Sequence, residues 1–419
     1  MNGRAVRLTV LDPSLERNRW TVGFRLILAI PHFLWLIGWF SLATTVAIAN
    51  WIATLISGAP SPMLHRFLAA YVRYAAHVGA YLTLAADPFP GFTGRPGSYA
   101  VDVEIDEPGP QNRWVTGFRL LLALPAIALA DFLVGVGSTG AGGGYLAFSS
   151  GVASTAAFLG WFYVLARGRM AEGLRDASVY AIGYSVQVYG YLFFFTDRYP
   201  SSDPAHYPSA NVYRADPIRL PVTDDLKRSR LTTFFRFPLS IPHLVWLTLW
   251  GIAVFFALIA SWFVTLLRGT SPRGLHNFLA RYVRYQTHVV AYLLLVANPF
   301  PGFTGEPGRY PVDAEIDEPR RQNRWTTGFR AFLALPAFFL GSALGGAAYL
   351  AGIYSWFHGL FRAEVPRGLR NLGAYALRYQ AQIYGYVFLL TSDYPYSGPS
   401  AGWQMTLTPN APPAPPPEI

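Results

Sequence analysis

Long uncharged runs alternate along the chain with stretches that mix arginine, tyrosine and apolar side chains at helical spacing. From Phe33 to Ser57 there is no charge over 25 residues, and a helix needs about 20 apolar residues to cross a hydrocarbon core. This run predicts a first transmembrane helix. Upstream, Asn18 to Ile30 mixes Arg, Trp and apolar residues before meeting Pro31, which reads as an interfacial helix kinked into the spanning one. After the turn GAPSP, Pro62 marks a helix start and Asp87-Pro88 a stop. At a rise of about 1.5 Å per residue this second helix extends roughly 37 Å, enough to cross if Arg66 and Arg73 snorkel to the near interface. The competing reading is a half-buried amphipathic helix that turns back. Val or Ile alternates with acids in VDVEIDEP at Val101 and VDAEIDEP at Val312, and similar stretches begin at Val6, Ile218 and Trp403. Period-two patterning predicts strands, and five on one side of the membrane would make a small polar sheet.

The pattern repeats. IPHFLW at Ile30 returns as IPHLVW at Ile241 and PFPGFTG at Pro88 returns at Pro299, both displaced by 211 residues, while a displacement of 94 carries Phe235 onto Phe329. Each half of a duplication is therefore itself doubled. The expected fold is mainly α and integral to the membrane: four tandem two-helix repeats, about eight transmembrane helices, with interfacial helices and a polar β-layer on one side. The repeats cover residues 1–110, 111–225 with a Gly-rich insertion, 226–319 and 320–410, and residues 411–419 form a Pro-rich tail expected to be disordered. GSTGAGGGY in the insertion lacks the spacing of a phosphate loop and reads as a linker. Arg25, Pro31, Trp51, Tyr74 and Tyr81 have counterparts of the same type in all four copies.

Composition agrees with residence in lipid. Only 13% of the 419 residues are charged and 52% are apolar, too few charges for an ordinary soluble surface. The net charge of +10 suits anionic lipids. Nucleic acid is excluded as a partner, because the arginines flank apolar runs singly. Cys is absent, which removes disulfides, thiolate metal sites and cysteine nucleophiles. No short apolar core with a cleavage site opens the chain, so strands and termini are expected in the cytoplasm. The density of Arg at the hairpin turns argues the reverse.

Six of the eight histidines sit at equivalent places in repeats one and three: His32 with His243, His65 with His276, and His77 with His288. Repeats two and four carry Ala126 and Ala337, Arg175 and Arg370, and Gln187 and Gln382 there. His77 lies about 15 Å along the helix from Asp87, near mid-bilayer if that helix spans, and ionisable groups at such depth are candidates for function. A candidate polar site thus comprises His77, His288, Arg73, Arg284, Tyr74, Tyr285, His65 and His276. The plainer reading is a neutral His bonded to a nearby Tyr or carbonyl, which Gln at the equivalent positions favours. Arg25, Arg119, Arg236 and Arg330 are candidates for lipid headgroups, or for interfacial anchors and salt bridges to acids such as Glu104. A metal site is not expected, since the His spacing is not that of a helical ligand pair. Asp102, Glu104 and Asp106 alternate and are expected on one solvated strand face. No nucleophile accompanies them, so no catalytic residue and no cofactor are expected.

The run FRxxLxIPH, then PRGLHNFLARYVRYQTHVVAYLLL and NPFPGF, resembles a bacterial multi-pass membrane-domain family known only as a domain of unknown function, here as four tandem copies. The resemblance implies membrane residence and brings no catalytic residues. The expected role is a non-catalytic scaffold or accessory subunit of a membrane complex, with a protein partner at the polar strand layer. The alternative is a transporter or a lipid- or small-molecule-binding protein using the His-bearing helices.

Overall fold

The computed structural model describes residues 4–135, 151–207 and 218–399. The GSTGAGGGY stretch, the strand expected at Trp403 and the Pro-rich tail lie outside the described residues. In chain order the elements are β1 (Val6–Val10), α1 (Arg19–Gly23), α2 (Arg25–Leu28), α3 (Ile30–Ser57), α4 (Pro62–Leu82), β2 (Val101–Ile105), α5 (Arg113–Val134), α6 (Val152–Arg167), α7 (Glu172–Leu192), a 3-10 turn at Pro204–His206, α8 (Arg230–Phe234), α9 (Arg236–Arg268), α10 (Arg273–Leu293), α11 (Arg324–Gly328), α12 (Arg330–Arg362) and α13 (Arg367–Val387). They fall into two compact units. One is Met1–Asn211 with Ala334–Tyr354 and Tyr396–Pro399, the other Val212–Leu333 with Ser355–Pro395 and Ser400–Ile419.

Local sequence explains the helix ends. Asn18, Asn112 and Asn323 each accept a backbone N–H from the Trp two residues on, satisfying a donor that the first turn leaves orphaned. The helices that precede the hairpin turns of repeats one to three, α3, α6 and α9, end at Gly58, Gly168 and Gly269 in the left-handed region, where glycine carries no Cβ penalty. The break expected at Pro31 falls at Ala29, just before it, whereas Pro125, Pro242 and Pro336 lie inside continuous helices.

The two helices of a repeat differ in character. Helices α3, α5, α9 and α12 are long and apolar enough to cross a membrane. Helices α4, α7, α10 and α13 have 21 residues each, and they carry charge and are mostly buried in protein. Among the described residues Met63 is their one exposed large apolar side chain. Where eight spans were expected, four helices among the described residues qualify by length and composition, because the second helices, though long enough, are too polar.

The strand expectation also contracts. In the first unit β1 and β2 pair antiparallel over five residues, from Val6 opposite Ile105 to Val10 opposite Val101. In the second unit the corresponding stretches touch only at two isolated bridges, Arg219 with Glu315 and Val222 with Val312. Pro221 and Pro311 stand there where the first unit has Thr9 and Ala100. Proline donates nothing to a ladder. Asp313 N–H still reaches Pro221 O and Thr223 N–H still reaches Pro311 O, but neither bond can be reciprocated.

Within each unit two repeats clasp each other reciprocally. Trp51 Nε1 donates to Thr116 O and Trp161 Nε1 to Val22 O at 3.0 and 3.1 Å; Trp262 donates to Thr327 O and Trp356 to Thr233 O at 2.9 and 2.8 Å. The tryptophan near the end of the helix before each hairpin turn thus holds the entry of the partner repeat, a short helix in three repeats and the first turn of α5 in repeat two. Backbone bonds follow the same exchange, Gln111 N to Gly58 O and Arg17 N to Gly168 O in one unit, Gln322 N to Gly269 O and Arg228 N to Ala363 O in the other.

Candidate functional site

Each second helix ends in a residue forced into the left-handed region: Leu84, Phe194, Leu295 and Leu389 have φ between 57° and 67°. For a non-glycine residue this conformation is unfavourable and needs surrounding support. The four repeated arginines supply it. Arg25 donates to Tyr81 O at 2.6 Å, to Ala86 O at 3.0 Å and to Asp87 at 2.6 Å. Arg236 reaches Tyr292 O, Ala297 O and Asn298, and Arg330 reaches Tyr386 O and Thr391 O. Arg119 repeats the pattern with Tyr191 O, Thr196 O, Gln111 and Asp197. Every guanidinium also stacks on the second repeated tyrosine, 4.2 to 4.7 Å from the ring centre of Tyr81, Tyr191, Tyr292 or Tyr386. All four are at most 3% exposed. Of the two roles open to them, headgroup contact or a structural anchor, burial favours the structural one: they cap helix ends, and the ion pair of Arg25 is with Asp87, not Glu104.

The histidines are equally well explained from within. His32 Nδ1 and Tyr74 OH lie 2.7 Å apart, as do His243 Nδ1 and Tyr285 OH, and the rings stack on Phe92 and Phe303 of the PFPGF loops. Those loops press against the second helix so closely that a Cβ at Gly94 or Gly305 would stand about 2 Å from Ala70 O or Arg281 O. The loop sequence therefore needs glycine there for space as well as for φ. His276 Nε2 bonds Asp317 O at 3.0 Å, and His65 lies edge-on to Phe195.

His77 and His288 hold the strand layer. His77 Nε2 is 2.8 Å from Asp102 Oδ1, and His288 Nε2 is 3.0 Å from Asp313 Oδ1. Asp102 also accepts from Gly97 N and Val103 N, and Asp313 from Gly308 N. Burial pushes both carboxyls up, but the hydrogen bonds from His and backbone N–H groups outweigh it and hold them below the usual carboxylate range. Asp102 is 5% exposed, so the expected solvated face of Asp102, Glu104 and Asp106 is corrected: Glu104 and Asp106 face water and ion-pair with Arg7, whereas the Gly97 turn covers Asp102. Arg73 and Arg284 donate to Val103 O and Ala314 O at 2.9 Å, and burial lowers both guanidinium pKa values.

The glutamines do the same work with other partners. Gln187 Oε1 accepts from Arg4 at 2.7 Å and from Ser201 N at 3.0 Å, and Gln382 Nε2 donates to Ile218 O at 3.3 Å. At this one helical position all four repeats tie a second helix to the strand layer or its flanks. Sequence reasoning weighed the histidines without their acids. The signal was available, since each His is followed 25 residues later by Asp only in the copies that have His.

Of the candidate site residues, His77 with Arg73 and His288 with Arg284 meet at the helix-to-strand tie of each unit, whereas Tyr74 and Tyr285 bond His32 and His243, and His65 and His276 lie about 18 Å further along the helix. In the second unit a cavity of about 620 Å³ opens beside it, lined among others by Arg219, Arg284, Asp313, Glu315 and Asp317. Among the described residues no group of three or more His, Asp or Glu side chains is placed to hold a metal ion.

No curated protein and no solved structure matches the chain. A family described as a domain of unknown function (DUF4389) matches residues 19–93, 230–304 and 324–397. These are the helix pairs of repeats one, three and four, and the match passes over repeat two, which carries the insertion. With more than half its length matched in three copies of the same two-helix module, the chain belongs to the DUF4389 family.

Proposed function

We propose that the protein is a non-catalytic membrane scaffold, with its apolar first helices in lipid and its charged strand layer holding a protein partner in the cytoplasm. The observation that carries this reading is the division of exposed chemistry. Helix α9 alone exposes Phe237, Ile241, Leu249, Ile252, Phe255 and Phe256, a surface far larger than a soluble monomer leaves bare. The strand layer exposes Arg7, Glu104, Asp106, Arg219 and Glu315. Hydroxyls on the exposed apolar faces bond back to their own helix, Ser41 to Ile37 O, Thr44 to Phe40 O and Thr248 to Leu244 O, as lipid surroundings require. The net charge of +10 favours an anionic bilayer.

The test is flotation with anionic vesicles followed by crosslinking in intact cells and mild-detergent pull-down, using wild type and Glu104→Arg with Glu315→Arg. A scaffold floats, captures a defined protein partner and loses it on charge reversal. A chain that stays at the bottom of the gradient, or crosslinks to nothing, is not one. A second reading, binding of a small polar molecule, has the cavity beside His288 and Asp313 in its favour. His77→Gln with His288→Gln would then abolish ligand retention by the reconstituted protein.

A further inference from the structure

We propose that each compact unit lies in a single leaflet, its first helices parallel to the membrane plane, so that hairpin turns and strand layer face the same side of the bilayer. The inference rests on the membrane reading above and settles what the helices do within it.

The two helices of a hairpin cannot be assigned separately. In the second unit α9 and α10 run antiparallel and touch along their whole length: Arg236 caps the α10 end at Tyr292 O, His243 meets Tyr285, Trp250 packs on Phe278 and Tyr282, and Ser261 meets Ser271 by the turn at 2.9 Å. If α9 crosses the bilayer, α10 crosses with it.

The strand segment runs beside α10 over the same span. Asp313 is tied to His288, Ala314 to Arg284 and Asp317 to His276. Those twelve residues of helix cover about 18 Å, more than half of a hydrocarbon core about 30 Å thick. Along that length the chain exposes charge: the side chains of Arg219, Glu315 and Asp317 are 60%, 47% and 48% exposed. The first unit repeats this with Arg7, Glu104 and Asp106 beside α4. A hairpin standing across the bilayer would hold these ionised groups at hydrocarbon depth, where charge is scarcely tolerated outside a watery cavity.

Turned flat, the same structure meets no such conflict. A helix is about 10–12 Å across and one leaflet of hydrocarbon is about 15 Å deep, half of the full core. Helices α3 and α9 fill that depth with apolar side chains on all but one narrow stripe. The second helices, with Met63 their one large apolar side chain exposed among the described residues, lie above them as a middle layer whose exposed positions include the polar Arg66, Asn277 and Arg281. The charged strands form the outermost layer in water. Helices in this posture are interfacial.

Because the chain has no cysteine, sidedness can be read directly from single cysteines in the full-length protein. Thr270→Cys reports the turn, Glu315→Cys the strand and Phe256→Cys the apolar face, each probed with a membrane-impermeant maleimide in right-side-out and inverted vesicles. In-plane seating predicts that T270C and E315C label in the same vesicle orientation. It predicts that F256C is silent until detergent is added, and that a fluorophore there is quenched more by a spin label high on the acyl chain than by one at its end. Labelling of T270C and E315C from opposite sides, or stronger quenching of F256C at the chain end, overturns the proposal while leaving membrane residence intact. Free labelling of F256C without detergent removes the membrane reading itself. Ser57→Cys with Glu104→Cys repeats the test in the first unit should a second-unit variant misfold.

Discussion

The two strand pairs start from nearly the same sequence and arrive at different structures. VRLTV and VDVEI form a continuous ladder of five paired residues in the first unit, whereas IRLPV and VDAEI meet at two bridges and leave a 620 Å³ cavity. Two prolines account for the difference, and the tie from helix to strand outlasts them: His288 holds Asp313 much as His77 holds Asp102. The strand layer is therefore secured from beneath, by side chains of the second helix, and a continuous strand ladder is an addition that one unit lacks.

The largest effect that would break this view is loss of the tie. His288→Ala leaves Asp313 buried without its partner, and stranding one member of a buried pair costs about 3 kcal/mol or more. His77→Ala should cost less, because the ladder still holds β2. Thermal or urea unfolding of both variants in detergent measures the difference, and equal losses would show that the ladder contributes nothing. Next in size is repair of the broken ladder. Pro221→Thr with Pro311→Ala restores two N–H donors facing Asp313 O and Thr223 O, each worth about 1 kcal/mol, and amide hydrogen exchange should show new protection there.

A smaller effect is one of pH. Both aspartates titrate lower when folded than when unfolded, so the native state binds fewer protons and the stabilisation is complete above the ordinary carboxylate range. It is lost as pH falls through the folded pKa values. Asp102→Asn with Asp313→Asn should flatten the acid limb of the stability profile. Least of all is Arg7→Ala, which removes exposed ion pairs with Glu104 and Asp106 and should cost under about 1 kcal/mol, an effect that added salt erases.

Periodic features were legible from residues alone: four helix pairs, the arginine, tryptophan and tyrosine positions, and the split between His-bearing and Gln-bearing copies. What those residues touch was not. A buried Arg25 capping a helix and an interfacial Arg25 on a headgroup look identical in sequence, because both precede an apolar run. Asp102 shares its alternation with Glu104, and only the Gly97 turn folding over it separates a buried acid from a wet one. The length of α4 and α10 gave no sign of the strand that covers them, which lies 25 to 41 residues away in the chain.

The reciprocal clasp of the tryptophans carries a consequence for how such chains are built. Trp51 donates its indole N–H outside its own repeat, to Thr116 O of the next, and Trp161 returns the bond at Val22 O. A module standing alone would leave such an indole N–H and an entry-turn carbonyl without these partners, which a second module supplies here.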